Sequence, residues 1–168
     1  MEIRVEDKVS DEERRELFGW GEDIFVVENL NLKWKPKELH LFVDVDGRPV
    51  THVGLLQHTI SVDEQPVKVC GVGAVVTALE SHGKGYASHA MRYVESLMCE
   101  QWGVDFGLLF CRDRLVTFYE RLGWQQLTEP VEIEQPSGPV MFPLNVMVLP
   151  CRAQAWPAGR VKLKGLPW

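Results

Sequence analysis

The sequence predicts one α/β (α+β) domain, residues 1–168, in which a mixed, mainly antiparallel central sheet is flanked by helices. Three observations carry that prediction. β-branched segments follow one another through tight turns, helical spacing takes over after Gly85, and a strand–helix–strand succession comes next. No internal repeat or low-complexity tract divides the chain.

From the N-terminus, Ser10 and Glu13 stand at capping-box spacing, ahead of a helix read over Asp11 to Trp20. Glu22 to Lys37 is mixed and reads as a short helix plus loop. Leu39 to Val45 reads as a strand, Asp46-Gly47 as a two-residue hairpin turn, and Pro49 to Val62 as the returning strand. A turn at Asp63-Glu64-Gln65 leads into Val67 to Thr77, which completes an antiparallel meander. The period then changes: Ala87, Ala90, Met91, Val94, Leu97 and Met98 share one helical face, with Arg92, Glu95 and Ser96 opposite. Gly103 ends this helix, and Phe106 to Cys111 is a short buried strand. Leu115 to Leu122 is a second helix stopped by Gly123. Val140 to Leu149 is a late strand interrupted by Pro143, and Cys151 to Trp168 has no clear period.

Composition bounds the function. Hydrophobic residues make up 45% of the 168 positions, enough for a substantial core. A net charge of −6 argues against a nucleic-acid surface, which needs a basic stripe. It suits a cationic partner such as an amine, or simply solubility. Cys70, Cys99, Cys111 and Cys151 show no C-x-x-C or metal-like spacing, so buried free thiols in a reducing cytosol are expected, and no metal site. Met1-Glu2-Ile3-Arg4 opens no apolar stretch and no window reaches membrane-spanning length without charge, so a soluble, cytoplasmic protein is expected.

The segment Val75-Val76-Thr77-Ala78-Leu79-Glu80-Ser81-His82-Gly83-Lys84-Gly85-Tyr86-Ala87-Ser88 reads as a strand, a short turn and a helix start. Gly83 and Gly85 permit a tight turn and close backbone approach to a ligand. The amides of Gly83 to Ser88 would be the open donors of the helix's first turn, where the helix dipole favours an anion, and Lys84 adds charge. The bland alternative is a glycine turn that only joins strand to helix. Walker A and dinucleotide fingerprints are excluded, because no Gly-Lys-Ser/Thr follows and Ser88 stands where a third glycine would be needed.

His82-Gly83-Lys84-Gly85-Tyr86-Ala87 resembles the coenzyme A loop of the GNAT N-acetyltransferase superfamily, with the pattern Gln/Arg-x-x-Gly-x-Gly/Ala; His82 is the departure. Some thirty residues later Phe118-Tyr119-Glu120-Arg121-Leu122-Gly123-Trp124 resembles that superfamily's Phe-Tyr-x-x-x-Gly-Phe/Trp signature. The resemblance implies the GNAT fold and acetyl-CoA as donor. It implies that Tyr119 lies near the thioester sulfur, where a phenol can stabilise or protonate the leaving thiolate. Helical spacing alone reads Phe118 and Tyr119 as core aromatics. The resemblance further implies that a backbone N–H of Val75 or Val76 holds the thioester carbonyl, an oxyanion device that needs no special side chain.

Thr51-His52-Val53-Gly54-Leu55-Leu56-Gln57, Cys70-Gly71 and the tail Trp156-Pro157-Ala158-Gly159-Arg160-Val161 to Trp168 look like parts of aminoglycoside 2′-N-acetyltransferases. The tail also resembles that of nodulation N-acyltransferases. The 2′-acetyltransferases place a Glu where Gly73 stands here, and their acceptor aspartates have no equivalents near Lys33 and Ser137. Candidate bases are Glu28, Asp44, His52, His58 and the C-terminal carboxylate of Trp168, with His52 foremost, although a water chain can serve instead. Trp156 and Trp168 either close the core or wall an acceptor pocket.

The expectation is thus direct acetyl transfer from acetyl-CoA to a primary amine of a small molecule, catalysed through Tyr119 and His52. The coenzyme lies against Val75, Val76, Thr77, His82, Gly83, Lys84, Gly85, Tyr86, Ala87 and Ser88. The alternatives are a longer acyl donor or a non-catalytic acyl-CoA-binding module. No nucleic acid, membrane or metal enters the reading, and a homodimer is compatible with it.

Overall fold

In chain order the elements are β1 (Glu2–Glu6), α1 (Asp11–Phe18), β2 (Leu39–Val45), β3 (Arg48–Val62), β4 (Gln65–Thr77), α2 (Tyr86–Ser96), β5 (Phe106–Cys111) and α3 (Asp113–Glu120). Then follow β6 (Gln125–Gln126), β7 (Val131–Gln135), β8 (Gly138–Met141), β9 (Asn145–Pro150) and β10 (Val161–Lys162). They come from a computed structural model in which residues 1–19 and 24–168 are described.

The capping box at α1 forms as its spacing predicts. The Ser10 hydroxyl accepts from the Glu13 amide at 3.2 Å, and the Glu13 carboxylate accepts from the Ser10 amide at 2.7 Å. α1 ends at Phe18 with Gly19 as its C-cap, and Trp20, the expected last residue, lies outside the described residues. Of the mixed segment, Glu22 and Asp23 lie outside the described residues, and within the rest Glu28–Leu30 is a 3-10 turn.

The meander is antiparallel throughout, β2 on β3 and β3 on β4. Asp46 and Gly47 both take positive φ, +50° and +75°, as a two-residue hairpin requires. β4 pairs with β5 in parallel and β5 with β9 antiparallel. The strand order is β6-β9-β5-β4-β3-β10-β7-β8, and β1 and β2 extend from the edge of β3 that also carries β10.

Alternation along β5 builds a core on each face. Leu109 and Cys111 join Val72, Ala90, Met91 and Val94 under α2, whereas Phe106 and Leu108 join Ile60, Ile133, Val148 and Trp168 on the other side. Burying each of these larger side chains contributes about 1.5–3 kcal/mol before entropy is counted.

The structure departs from the expectations in identifiable ways. The late strand splits into β8 and β9 around Pro143, which cannot donate to a ladder, and the halves pair with different neighbours, β7 and β5. β1, β6, β7 and β10 were not anticipated; β6 and β10 are two residues each. α2 continues into a π turn, Leu97–Gln101, closed by the Trp102 amide donating to the Leu97 carbonyl at 3.0 Å. That turn carries Cys99, which is disulfide-bonded to Cys151 just past β9, so the expectation of four free thiols is corrected to two. Their separation of 52 residues leaves no spacing signal in the sequence. Cys70 and Cys111 are free and buried, and burial raises both thiols, to about 12 and about 11.

Candidate active site

β4 and β5 pair only over Val69 to Val72 against Phe106 to Leu109. Beyond that, β4 stays with β3 while Phe110 and Cys111 of β5 stay with β9, so the two central strands part. A cleft of about 840 Å³ opens between them, within the range of small-molecule and cofactor sites.

A β-bulge marks the point of departure. His52 pairs with Val76 and Gly54 with Gly73, so Ala74 and Val75 together stand opposite Val53. Ala74 sits at φ +48°, a conformation that costs an alanine about 1–2 kcal/mol. Its carbonyl accepts from Nδ1 of His52 at 2.7 Å. Because a carbonyl only accepts, Nδ1 carries the proton, and in the neutral ring Nε2 then accepts from Nδ1 of His40 at 2.9 Å. His52 is buried against Phe18 and Phe42, and burial pushes its pKa down to about 4. It therefore stands neutral behind the bulge, with both nitrogens engaged, and does not line the cleft.

The glycine loop closes one end. Gly83 and Gly85 have φ +75° and +81°, and a Cβ added to either would meet nothing within 4 Å, so conformation and not crowding requires glycine. His82 donates from Nε2 to the Thr77 carbonyl at 2.7 Å, which ties the loop to the end of β4. Gly85 caps α2, and the amides of Tyr86, Ala87 and Ser88 have no intrahelical acceptor. All three residues line the cleft, so an anion at this helix start meets the positive end of the dipole and the unpaired amides.

Val75, Val76, Thr77, His82, Gly83, Gly85, Tyr86, Ala87, Ser88 and Tyr119 all line this one cleft, while Lys84 is exposed outside it. Tyr119, on α3, packs edge-on to Phe118 and Trp124 and is 5% exposed. Burial, with a smaller contribution from Cys111, raises its pKa, so the phenol keeps its proton. Of the other candidate bases, Asp44 is ion-paired to Arg4 at 2.9 Å and His58 donates to the Leu163 carbonyl at 2.7 Å. Neither lines the cleft, and nor does Glu28. The Trp168 ring does both things considered for it, since it is 4% exposed with its indole on Gly71 and it lines the cleft; its main-chain oxygen, the remaining candidate base, lies at Gly73, 3.3 Å from a Cβ added there.

Sequence reasoning missed Lys37, Trp34, Phe110 and Arg112 in this lining. Glycines inside strands were the available signal, since they mark close approach. The Lys37 stem lies over Gly54 and Gly73. No group of His, Cys, Asp and Glu among the described residues is arranged to hold a metal, and none of their helices is long and apolar enough to cross a membrane.

A splayed parallel pair, a bulge at the opening and an anion-ready loop define an acyl-CoA transferase type of fold. Comparison with known proteins makes this specific. The family model for the GNAT acetyltransferase domain matches residues 13–127, and the chain belongs to that family. Its fold is similar to the GNAT family N-acetyltransferase YhbS of Escherichia coli in complex with CoA, at TM-score 0.62 and 16% identity over 96% of this chain and 88% of that one. It is similar to ElaA of Escherichia coli at TM-score 0.59 and 16% identity, over 88% and 98%. A GNAT family acetyltransferase of Brucella melitensis in complex with acetyl-CoA matches at TM-score 0.57 and 12% identity, over 95% and 94%. No curated protein sequence is similar enough to match. The chain is thus a GNAT acetyltransferase with the mixed sheet that family shares.

Proposed function

We propose that this enzyme transfers the acetyl group of acetyl-CoA directly to the primary amine of a small molecule. The observation that carries the reading is the continuity of the cleft, which runs from the open amides at Tyr86 to Ser88 past the bulge to Tyr119. Acetyl-CoA supplies the activated thioester when bound. The α2 amides and the glycine loop hold its pyrophosphate. Val75, which has no cross-strand partner in the register, or Val76 donates its N–H to the thioester oxygen as negative charge develops there. The amine nitrogen bonds to the acetyl carbon, the carbon–sulfur bond breaks, and its electron pair stays on sulfur. Tyr119 donates a hydrogen bond to that sulfur, and the proton the amine loses leaves through water at the cleft mouth. Catalysis is mainly the positioning of two bound substrates.

Thiol release from acetyl-CoA over a panel of aminoglycosides, polyamines, amino acids and peptide N-termini tests this. Calorimetry that detects no acyl-CoA binding would refute it. A longer acyl donor is the second reading, favoured by the apolar walls at Trp34, Phe110, Leu144 and Trp168. Comparing acetyl with longer acyl donors separates the two.

A further inference from the structure

Lys37 is the one cleft residue whose placement demands a ligand of particular chemistry. It leaves the irregular segment before β2 and crosses two strands, because Gly54 and Gly73 leave room for its stem. A Cβ on Gly73 would stand 2.7 Å from its Cε and 3.3 Å from its Nζ, so the ammonium occupies the space above that residue. Ala74, next along β4, is the bulge residue. Among the described residues no hydrogen bond or ion pair reaches the ammonium, and burial lowers its pKa to about 8. Desolvating a cation without a partner is costly, and an incoming anion offsets that cost. Arg112 and Arg114 also line the cleft, and the main-chain oxygen of Trp168 comes to the same place as the ammonium, 3.3 Å from the Cβ added at Gly73. Trp34, Phe110 and Trp168 supply apolar walls on the same side.

We propose that the acceptor is an amine that also carries a carboxylate, an apolar amino acid in kind, and that Lys37 binds the carboxylate. The inference rests on the acetyl-transfer reading above. Gly73 and Val75 flank the bulge residue Ala74, so the ammonium and the proposed thioester site are neighbours that one small molecule carrying an amine and a carboxylate can bridge. The carboxylate on Nζ then points the amine at the thioester carbon. Polycations such as aminoglycosides and polyamines meet three cationic side chains in this cleft, Lys37, Arg112 and Arg114, although the chain as a whole carries −6. Local charge, not net charge, selects the acceptor.

The test uses phenylalanine, phenylalaninamide and spermidine as acceptors with acetyl-CoA. The wild-type protein should prefer phenylalanine over its amide by roughly tenfold or more in kcat/KM, as expected for a desolvated charge pair. Lys37→Met should erase that preference, chiefly by raising KM for phenylalanine, and Lys37→Arg should retain most of it. Should none of the three be turned over, calorimetry of the CoA-saturated protein with phenylacetate decides, with binding expected in the wild type and lost in Lys37→Met. Equal use of acid and amide, a preference for spermidine, or phenylacetate binding that survives Lys37→Met would each overturn the proposal. So would an equal fall in kcat on every acceptor, which would assign Lys37 to proton removal instead. If CoA itself does not bind, the donor reading has failed; if CoA binds and neutral amines react without discrimination, only this inference has.

Discussion

Nδ1 of His52 donates to the carbonyl of Ala74 at 2.7 Å, so a buried neutral histidine on β3 holds the bulge that opens the cleft on β4. Neutrality is essential to that bond pattern, because His40 donates to the other nitrogen. His52 binds a proton in the unfolded chain near pH 6.5 but in the folded protein only near pH 4, because burial penalises the charged ring. Between those values the unfolded state holds more protons, so stability is full above pH 6.5 and is lost as the pH falls towards 4. The gap corresponds to about 3 kcal/mol. Urea unfolding at pH 7 and pH 5 should show this loss, and His52→Gln should lower stability at pH 7 while flattening the pH dependence. An unaltered slope in the variant would mean that other groups, His40 and His58 among them, carry the effect.

Tyr119 predicts a different signature. Its ring is packed on Phe118 and Trp124, so Tyr119→Phe keeps the packing and removes only the hydroxyl. The kcat on any accepted amine should fall by roughly 100-fold, the lower range for loss of a general acid, with the melting temperature held. Acetyl-CoA binding by calorimetry should hardly change. Undiminished turnover would remove the acid role and leave Tyr119 as a core residue.

How far the sequence shows this site depends on how local each feature is. β2 lies at its expected bounds, and β3 and β4 within two residues of theirs, because period-2 patterning and the Asp46-Gly47 turn are properties of neighbouring residues. Gly83 and Gly85 are legible for the same reason, since positive φ leaves its mark on residue type. The bulge is not, because an alanine at positive φ is a residue that the local sequence would never choose and that only tertiary contacts hold. Matching strands pointed to His52 as a base, and only its neighbours across the sheet reveal what it binds. Lys37 arrives from an irregular segment, and its trace in the sequence is the pair of small residues it crosses, Gly54 and Gly73.

The disulfide between Cys99 and Cys151 gives a stability prediction. Closing a loop across 52 residues removes enough unfolded-chain entropy to stabilise the fold by up to about 4 kcal/mol. Denatured without reductant, the protein should titrate two thiols, Cys70 and Cys111, and four after reduction. Cys151→Ser, or reductant on the folded protein, should lower the melting temperature by several degrees. Four reactive thiols before reduction would show that the bond does not form.

The glycine loop can be tested against an internal control. Gly47 and Gly85 both take positive φ, +75° and +81°, and a Cβ on either would meet nothing within 4 Å. Alanine at each should therefore cost the same kind of energy, about 1–2 kcal/mol of backbone strain, seen as similar falls in melting temperature. Gly47 lies in a hairpin turn and Gly85 caps the helix whose first residues line the cleft. Relief of strain at Gly85 turns their amides away from the coenzyme, so Gly85→Ala should weaken CoA binding roughly tenfold by calorimetry while Gly47→Ala leaves it unchanged. Gly85→Asn should fall between, because asparagine tolerates this conformation better than alanine. If the two alanine variants lose stability alike and bind CoA alike, the loop is a strand-to-helix joint and the pyrophosphate is held elsewhere.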